Sequence, residues 1–284
     1  MKASHIEELL RGSIDMHVHA DPDSAMERRL DFLEAARHAQ EAGMRAIVLK
    51  SHDYPTAPLA YFLNKIMSGI TVIGSQSLDD PTGGLNVHSL EVSAKLGARV
   101  VWMPTLSAAN DMVKKGRFGE GISLLDEKGN IRKVVMELLE IIKRYDMVLS
   151  TGHVSGPESF ALVAAARREG IARIVITHPL VKTVGAYLNI EEQRQLAEMG
   201  AFIEHTCSLI MPIKHRLEPV RVVEAIRAVG AERCIISSDL GQARNPAPVE
   251  GMRMMIAAML DAGLSVYELE QVVKINPSTL LGLS

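Results

Sequence analysis

Asp15-Met16-His17-Val18-His19 sets two imidazoles two residues apart at the end of a β-rich run. Side chains alternate faces along an extended strand, so His17 and His19 point the same way and Val18 the other. Two imidazoles on one face can grip a single divalent cation if further ligands arrive from elsewhere in the chain. A cation held there would bring the pKa of a bound water toward neutrality and polarise a scissile bond, which is the chemistry of metal-assisted hydrolysis. Asp15 shares that face and either orients one ring from behind or stays buried beneath it. The bland alternative is two unrelated histidines, because short motifs match by chance. Where the other histidines fall decides between these readings.

Bringing such ligands together needs a scaffold, and the chain repeats one. Gly43 precedes RAIVLKSH, Gly69 precedes ITVIGSQ and Gly97 precedes ARVVWMP; Gly170, Gly200 and Gly230 precede IARIVITH, AFIEHT and AERCIISSD. Each glycine sits where a helix would end, and each following run is short and rich in Val and Ile, as in a strand buried on both faces. SIDMHVH and DMVLSTGH bring the count to eight. Between them, Val134, Leu138, Ile141 and Tyr145 mark a helical stripe. Pro157 suits a first turn, and Asn189 with Glu192 and Ser265 with Glu268 read as capping boxes. Eight alternations over 284 residues predict an α/β fold, a (β/α)8 TIM-type barrel, as a single domain spanning 1–284. The competing open, doubly wound sheet usually carries a glycine-rich phosphate turn after its first strand, and none follows SIDMHVH. One connection is long: Thr105 to Asn130 carries a small hairpin around Asp126-Glu127-Lys128-Gly129 and reads equally as a lid or as a surface excursion.

In such barrels functional side chains collect at the C-terminal strand ends. Those ends hold His17 and His19, Lys50 and His52, His153, His178, Glu204 and His205, and Asp239. The remaining histidines, His5, His38, His88 and His215, read as surface or packing residues. Glu204 and His205 are neighbours and face opposite sides, with Glu204 favoured for the site and His205 for packing against a helix. Lys50 reads as a substrate contact or as a charge partner for Asp53.

The set DxHxH on strand one, His153 in STGHVS, His178 in VITHPL and Asp239 in ISSDLG resembles the amidohydrolase superfamily of metal-dependent hydrolases. The ending NPSTLLGL is similar to the NPAxLLGL that many members carry after the last helix. The resemblance implies a metal shell of His17, His19, His153, His178 and Asp239. It gives Asp239 the further task of taking the proton from the attacking water and passing it to the leaving group. It implies a divalent metal, Zn²⁺ first and Mn²⁺ or Fe²⁺ as alternatives, as one or two ions, and attack of metal-held hydroxide on an amide, lactone, amidine or ester. Dinuclear members usually bridge their ions with a carboxylated lysine or a glutamate on strand four, which here ends Val101-Trp102-Met103-Pro104; Lys50 or Glu204 would have to substitute. A second resemblance competes. EAGMRAIVLKSHD followed by GITVIGS is similar to the second and third motifs of PHP (polymerase and histidinol phosphatase) domains. That resemblance implies a phosphoesterase with His52 as a metal ligand, and Gln76 stands where the third motif has a glutamate. The third reading is a barrel that keeps its metal and has lost turnover.

Lys182, Lys214, Arg216 and Arg244 lie on the loops after strands six to eight; converging on the mouth, they would favour an anionic small-molecule substrate. A net charge of −3 gives no bias toward nucleic acid or anionic membrane, and a single tryptophan offers no platform for stacking bases. The first twelve residues lack the apolar core of a signal peptide, and GMRMMIAAMLDAG is too short to span a bilayer. The two cysteines show no CxxC spacing, and the fifteen methionines read as core filler. A soluble, cytoplasmic protein is expected, with self-association left open.

Overall fold

The computed structural model describes residues 2–212 and 216–283, apart from the side chains of Lys2 and Ala3. Lys214 and His215 lie outside the described residues. Eight strands follow one another in chain order within one sheet: β1 (Ile14–Val18), β2 (Ala46–Leu49), β3 (Thr71–Ser77), β4 (Ala98–Trp102), β5 (Val148–Ser150), β6 (Ile174–Ile176), β7 (Phe202–Thr206) and β8 (Cys234–Ser237). The pairings are parallel, with Ile14 opposite Ala46, Val100 opposite Val148 and Val175 opposite Phe202. Val18 at the end of β1 forms a parallel bridge with Leu240, just beyond β8, and with helices between the strands this is the (β/α)8 barrel the sequence predicts. The strands read as continuous apolar runs because a barrel buries both faces: every residue of β1, β2, β5, β6, β7 and β8 is buried.

Local chemistry fixes the helix ends. Asn189 with Glu192 and Ser265 with Glu268 form reciprocal capping boxes, as do Asp31 with Glu34 and Ser155 with Glu158. Each such N-cap is worth about 1 kcal/mol. The stripe expected on helix Lys133–Arg144 is displaced: Val135, Leu138, Leu139, Ile141 and Ile142 are buried, whereas Val134 and Tyr145 are half-buried. A helix lying on a sheet buries a face wider than a single row, and here its centre falls one residue later than the four-residue spacing suggests.

Two compact units share the chain, the first built from 1–51, 58–74 and 205–284 and the second from 52–57 and 75–204. In the second, the long connection after β4 is organised rather than loose. It contains helix Ala109–Lys114, and Asp126 turns the chain by accepting from the backbone of Lys128 and Asn130, beside an antiparallel bridge from Leu125 to Ile131. Cys207 and Cys234 are buried free thiols. No helix among the described residues is long and apolar enough to cross a membrane.

Candidate metal centre

In the first unit the end of β1 meets the segment after β8. The backbone N–H of Asp239 donates to His17 O at 2.9 Å, and that of His19 donates to Leu240 O at 2.9 Å. Asp15 is buried and serves this junction: its Oδ1 accepts from the backbone N–H of His17 at 3.1 Å and of Ser238 at 2.9 Å. It therefore fixes backbone, in line with the buried alternative of its two sequence readings. Gly241 makes the crossing possible, because a Cβ there would lie 1.9 Å from His19 O.

The junction aims three donors at one another. Asp239 Oδ1 lies 3.2 Å from His17 Nε2 and 3.4 Å from His19 Nε2, and the two rings are 5.2 Å apart at their centroids. The three donor atoms all lie within 4.8 Å of one another. Both histidines are buried, whereas the Asp239 side chain keeps 18% of its surface exposed, so one side of the group is open. Two imidazole nitrogens and a carboxylate oxygen with an open side fit a catalytic Zn²⁺, Mn²⁺ or Fe²⁺. Asp239 has φ of 52°, a left-handed conformation uncommon for a residue with a side chain and typically found where function holds it. Its other oxygen accepts from Ser208 Oγ at 3.0 Å, and Ser208 Oγ is 2.8 Å from Thr206 Oγ1. The buried Lys50 places Nζ 3.0 Å from His17 Nε2. An ammonium has donors only, so it points into the lone pair a cation would use.

The second unit holds the other strand-end histidines. His153 Nε2 and His178 Nε2 are 3.1 Å apart, and Asp111 Oδ2 is 2.7 Å from His153 Nδ1. A carboxylate on Nδ1 makes that nitrogen the N–H and leaves Nε2 with its lone pair, the form that ligates metal. Burial raises the Asp111 pKa, but the His153 contacts and the backbone N–H of Gly185 outweigh it and hold the carboxyl below its usual range. Asp111 Oδ1 accepts that N–H at 2.8 Å, and Asn110 Nδ2 donates to His153 O and Gly185 O, so the long connection after β4 serves as the bracket for His153. His178 also has positive φ, 29°. Next to His153, Gly152 sits where a Cβ would lie 2.2 Å from Met103 O.

His52 belongs to a separate network in the same unit. Its Nδ1 is 2.9 Å from Asp79 Oδ2 and 2.7 Å from Thr105 Oγ1, while Asp79 Oδ1 accepts from the backbone of Thr105 and Ser107. Burial alone would raise the Asp79 pKa; its contacts with His52, Thr105 and Ser107 bring it down to about 2. Gln76, set where the PHP-like motif has its acid, instead donates to Ser89 Oγ at 2.9 Å.

Glu204 is buried, as is His205, whose two ring nitrogens have no hydrogen-bond partner among the described residues; burial pushes the His205 pKa down to about 4. The three loop cations lie on the exposed surface: Arg216 donates to Glu218, Lys182 lies over the Tyr187 ring and Arg244 is exposed. Four residues escaped the sequence reading. Asp79 stands two residues beyond β3, on the side where functional groups gather, and was legible in principle. Arg28, Asp111 and Ser208 sit in connections, where spacing carries no information about direction.

Fold and site together define a (β/α)8 barrel with a histidine–carboxylate group at its strand ends that could hold a metal ion. Solved structures share this architecture. An amidohydrolase from Pseudomonas aeruginosa is 13% identical, with a TM-score of 0.70 over 99% of this chain and 98% of that one. A phosphotriesterase homology protein from Escherichia coli, complexed with phosphate in its active site, is 15% identical, with a TM-score of 0.66 over 94% of this chain and 98% of that one. A lactonase from Listeria monocytogenes is 15% identical, with a TM-score of 0.64 over 97% and 95%. No curated protein matches the sequence. By sequence the chain belongs to DUF6282, a family of unknown function, whose model matches residues 12–204.

Proposed function

We propose that the chain is a metal-dependent hydrolase of the amidohydrolase type. His17, His19 and Asp239 hold its cation, and His153 and His178 form a second pair of candidate ligands. The observation that carries this reading is the meeting of two buried histidine Nε2 atoms and one oxygen of Asp239, held at positive φ, within 4.8 Å with one side open. The fold shared with structures named an amidohydrolase and a lactonase supports it. A divalent cation there supplies an acidified water and a polarised scissile bond. The chain's own residues do the rest. Asp239 presents one oxygen to the histidines and the other to Ser208, so it can accept a proton at Oδ2 and release it to a leaving group while the hydroxyl keeps the carboxylate in place. Zn²⁺ is the preferred ion for this donor set, and the substrate is a small molecule with an amide, lactone, amidine or ester bond.

One observation favours phosphoester hydrolysis as a second reading: Asp79 fixes the Nδ1 proton of His52, which leaves Nε2 as its ligand or base nitrogen. A screen of lactones, N-acyl compounds and phosphoesters with metal-loaded protein decides between them. Turnover of at least one class is expected, with Asp239→Asn slowing it about 10²- to 10⁴-fold. Near-normal rates in that variant would remove Asp239 from the role of base, and no turnover of any class would leave the inactive metal-binding barrel.

A further inference from the structure

Among the described residues, two buried cations stand against the triad's histidines. Arg28, in the connection after β1, has a side chain only 2% exposed, and Lys50 is 1% exposed. Arg28 Nη2 lies 3.5 Å from His19 Nδ1, and Lys50 Nζ lies 3.0 Å from His17 Nε2, so each histidine of the pair has a buried cation against it. Arg28 is also held from outside: it bridges Gln242, Arg29 N donates to Gly241 O and Ala243 N donates to Glu27 O, all in the segment that follows Asp239.

A purely structural role for Arg28 would use the guanidinium fully. Here it does not. Nε and Nη2 both donate to a single oxygen of Asp23, Oδ2, while Asp23 Oδ1 is committed to the backbone N–H groups of Ala25 and Met26. Neither oxygen of Asp23 engages Nη1. A guanidinium is always charged and offers five donors in a rigid fork, so one that spends Nε and Nη2 on a single oxygen keeps capacity for an oxyanion.

We propose that the substrate taken at the His17–His19–Asp239 site carries an anionic oxygen group, a carboxylate or a phosphate, held by Arg28 and Lys50. This rests on the hydrolase reading and narrows it to acidic substrates. The cations that select them come from the connection after β1 and the end of β2, and the fork is fixed in place before the ligand arrives.

The test is direct binding, measured by calorimetry on the metal-loaded full chain with inorganic phosphate and with acetate as probes. Binding of either probe to the wild type is expected, and the one bound more tightly identifies the group. Lys50→Met, and Arg28→Met combined with Asp23→Asn so that no carboxylate is left buried alone, should each weaken that binding by about tenfold or more with no loss of metal. Should the double variant fail to fold, Arg28→Lys, which keeps the charge and loses the fork, should show the same loss. Failure of both probes to bind the wild type, or equal binding by the variants, would overturn the proposal. Because binding is read without turnover, intact anion binding in a protein that hydrolyses nothing would sink the hydrolase reading alone. Turnover of neutral esters with no anion binding would sink this inference alone.

Discussion

The two histidine pairs of this chain are built on opposite principles. His17 lies on β1 and His19 one residue past its end, so the backbone sets their spacing, and cations stand against them: Lys50 on one and Arg28 on the other. His153 and His178 come from different strands, and the carboxylate of Asp111, delivered by a distant connection, fixes His153. His52, in the same unit as the second pair, likewise has a carboxylate on Nδ1, from Asp79. A carboxylate behind an imidazole fixes its tautomer and raises its basicity, whereas a cation beside one competes with metal and favours anions. On the proposed reading the first pair shares its surroundings with a charged substrate, and in the second the carboxylate presents His153 through Nε2.

Removing each pair separately tests this division most severely. His17→Ala with His19→Ala should abolish metal binding at the triad, because Asp239 then remains alone of it. Elemental analysis showing an unchanged metal content per chain would reject the first pair as the anchor. The next effect should come from Asp111→Asn. With the carboxylate charge gone, His153 is no longer held as a strong Nε2 donor, and the metal affinity of that pair should fall about 10- to 100-fold with the fold intact. An unaltered affinity by competition with a chelator would show that Asp111 only braces the long connection.

The smallest effect concerns pH, and it also separates the two units. His205, in the first, is buried without a partner, and its folded pKa of about 4 lies below the ordinary 6.5. As pH falls from 6.5 toward 4, the unfolded chain takes up a proton that the folded chain refuses, so stability declines across that window. Asp79, in the second, drops from 3.8 to about 2 in the fold. Its contribution, roughly 2 kcal/mol, is complete above pH 4 and is lost as pH falls toward 2. Urea unfolding of His205→Leu should lose the upper window and keep the lower, and Asp79→Asn the reverse. Identical pH profiles for wild type and both variants would contradict these assignments.

Much of this was legible from residues alone. Alternation along an extended strand put His17 and His19 on one face, and apolar runs buried on both faces announced a parallel barrel whose strand ends name His153, His178 and Asp239. Glycine positions and capping boxes marked the turns between, because those rules depend on a few consecutive residues. The supporting residues were not legible. Spacing cannot say that Asp111 turns back onto His153, that Arg28 is buried beside His19, or that Lys50 faces His17, since each contact joins segments remote in sequence through loops whose direction only packing fixes. Nor could charge counting tell exposed Arg216 and Arg244 from the buried cations. The sequence by itself determined which groups could bind a cation and on which strands they stand. The tertiary structure decided what lies behind each of them, because tautomer, charge and access depend on neighbours a few ångströms away that chain order does not specify.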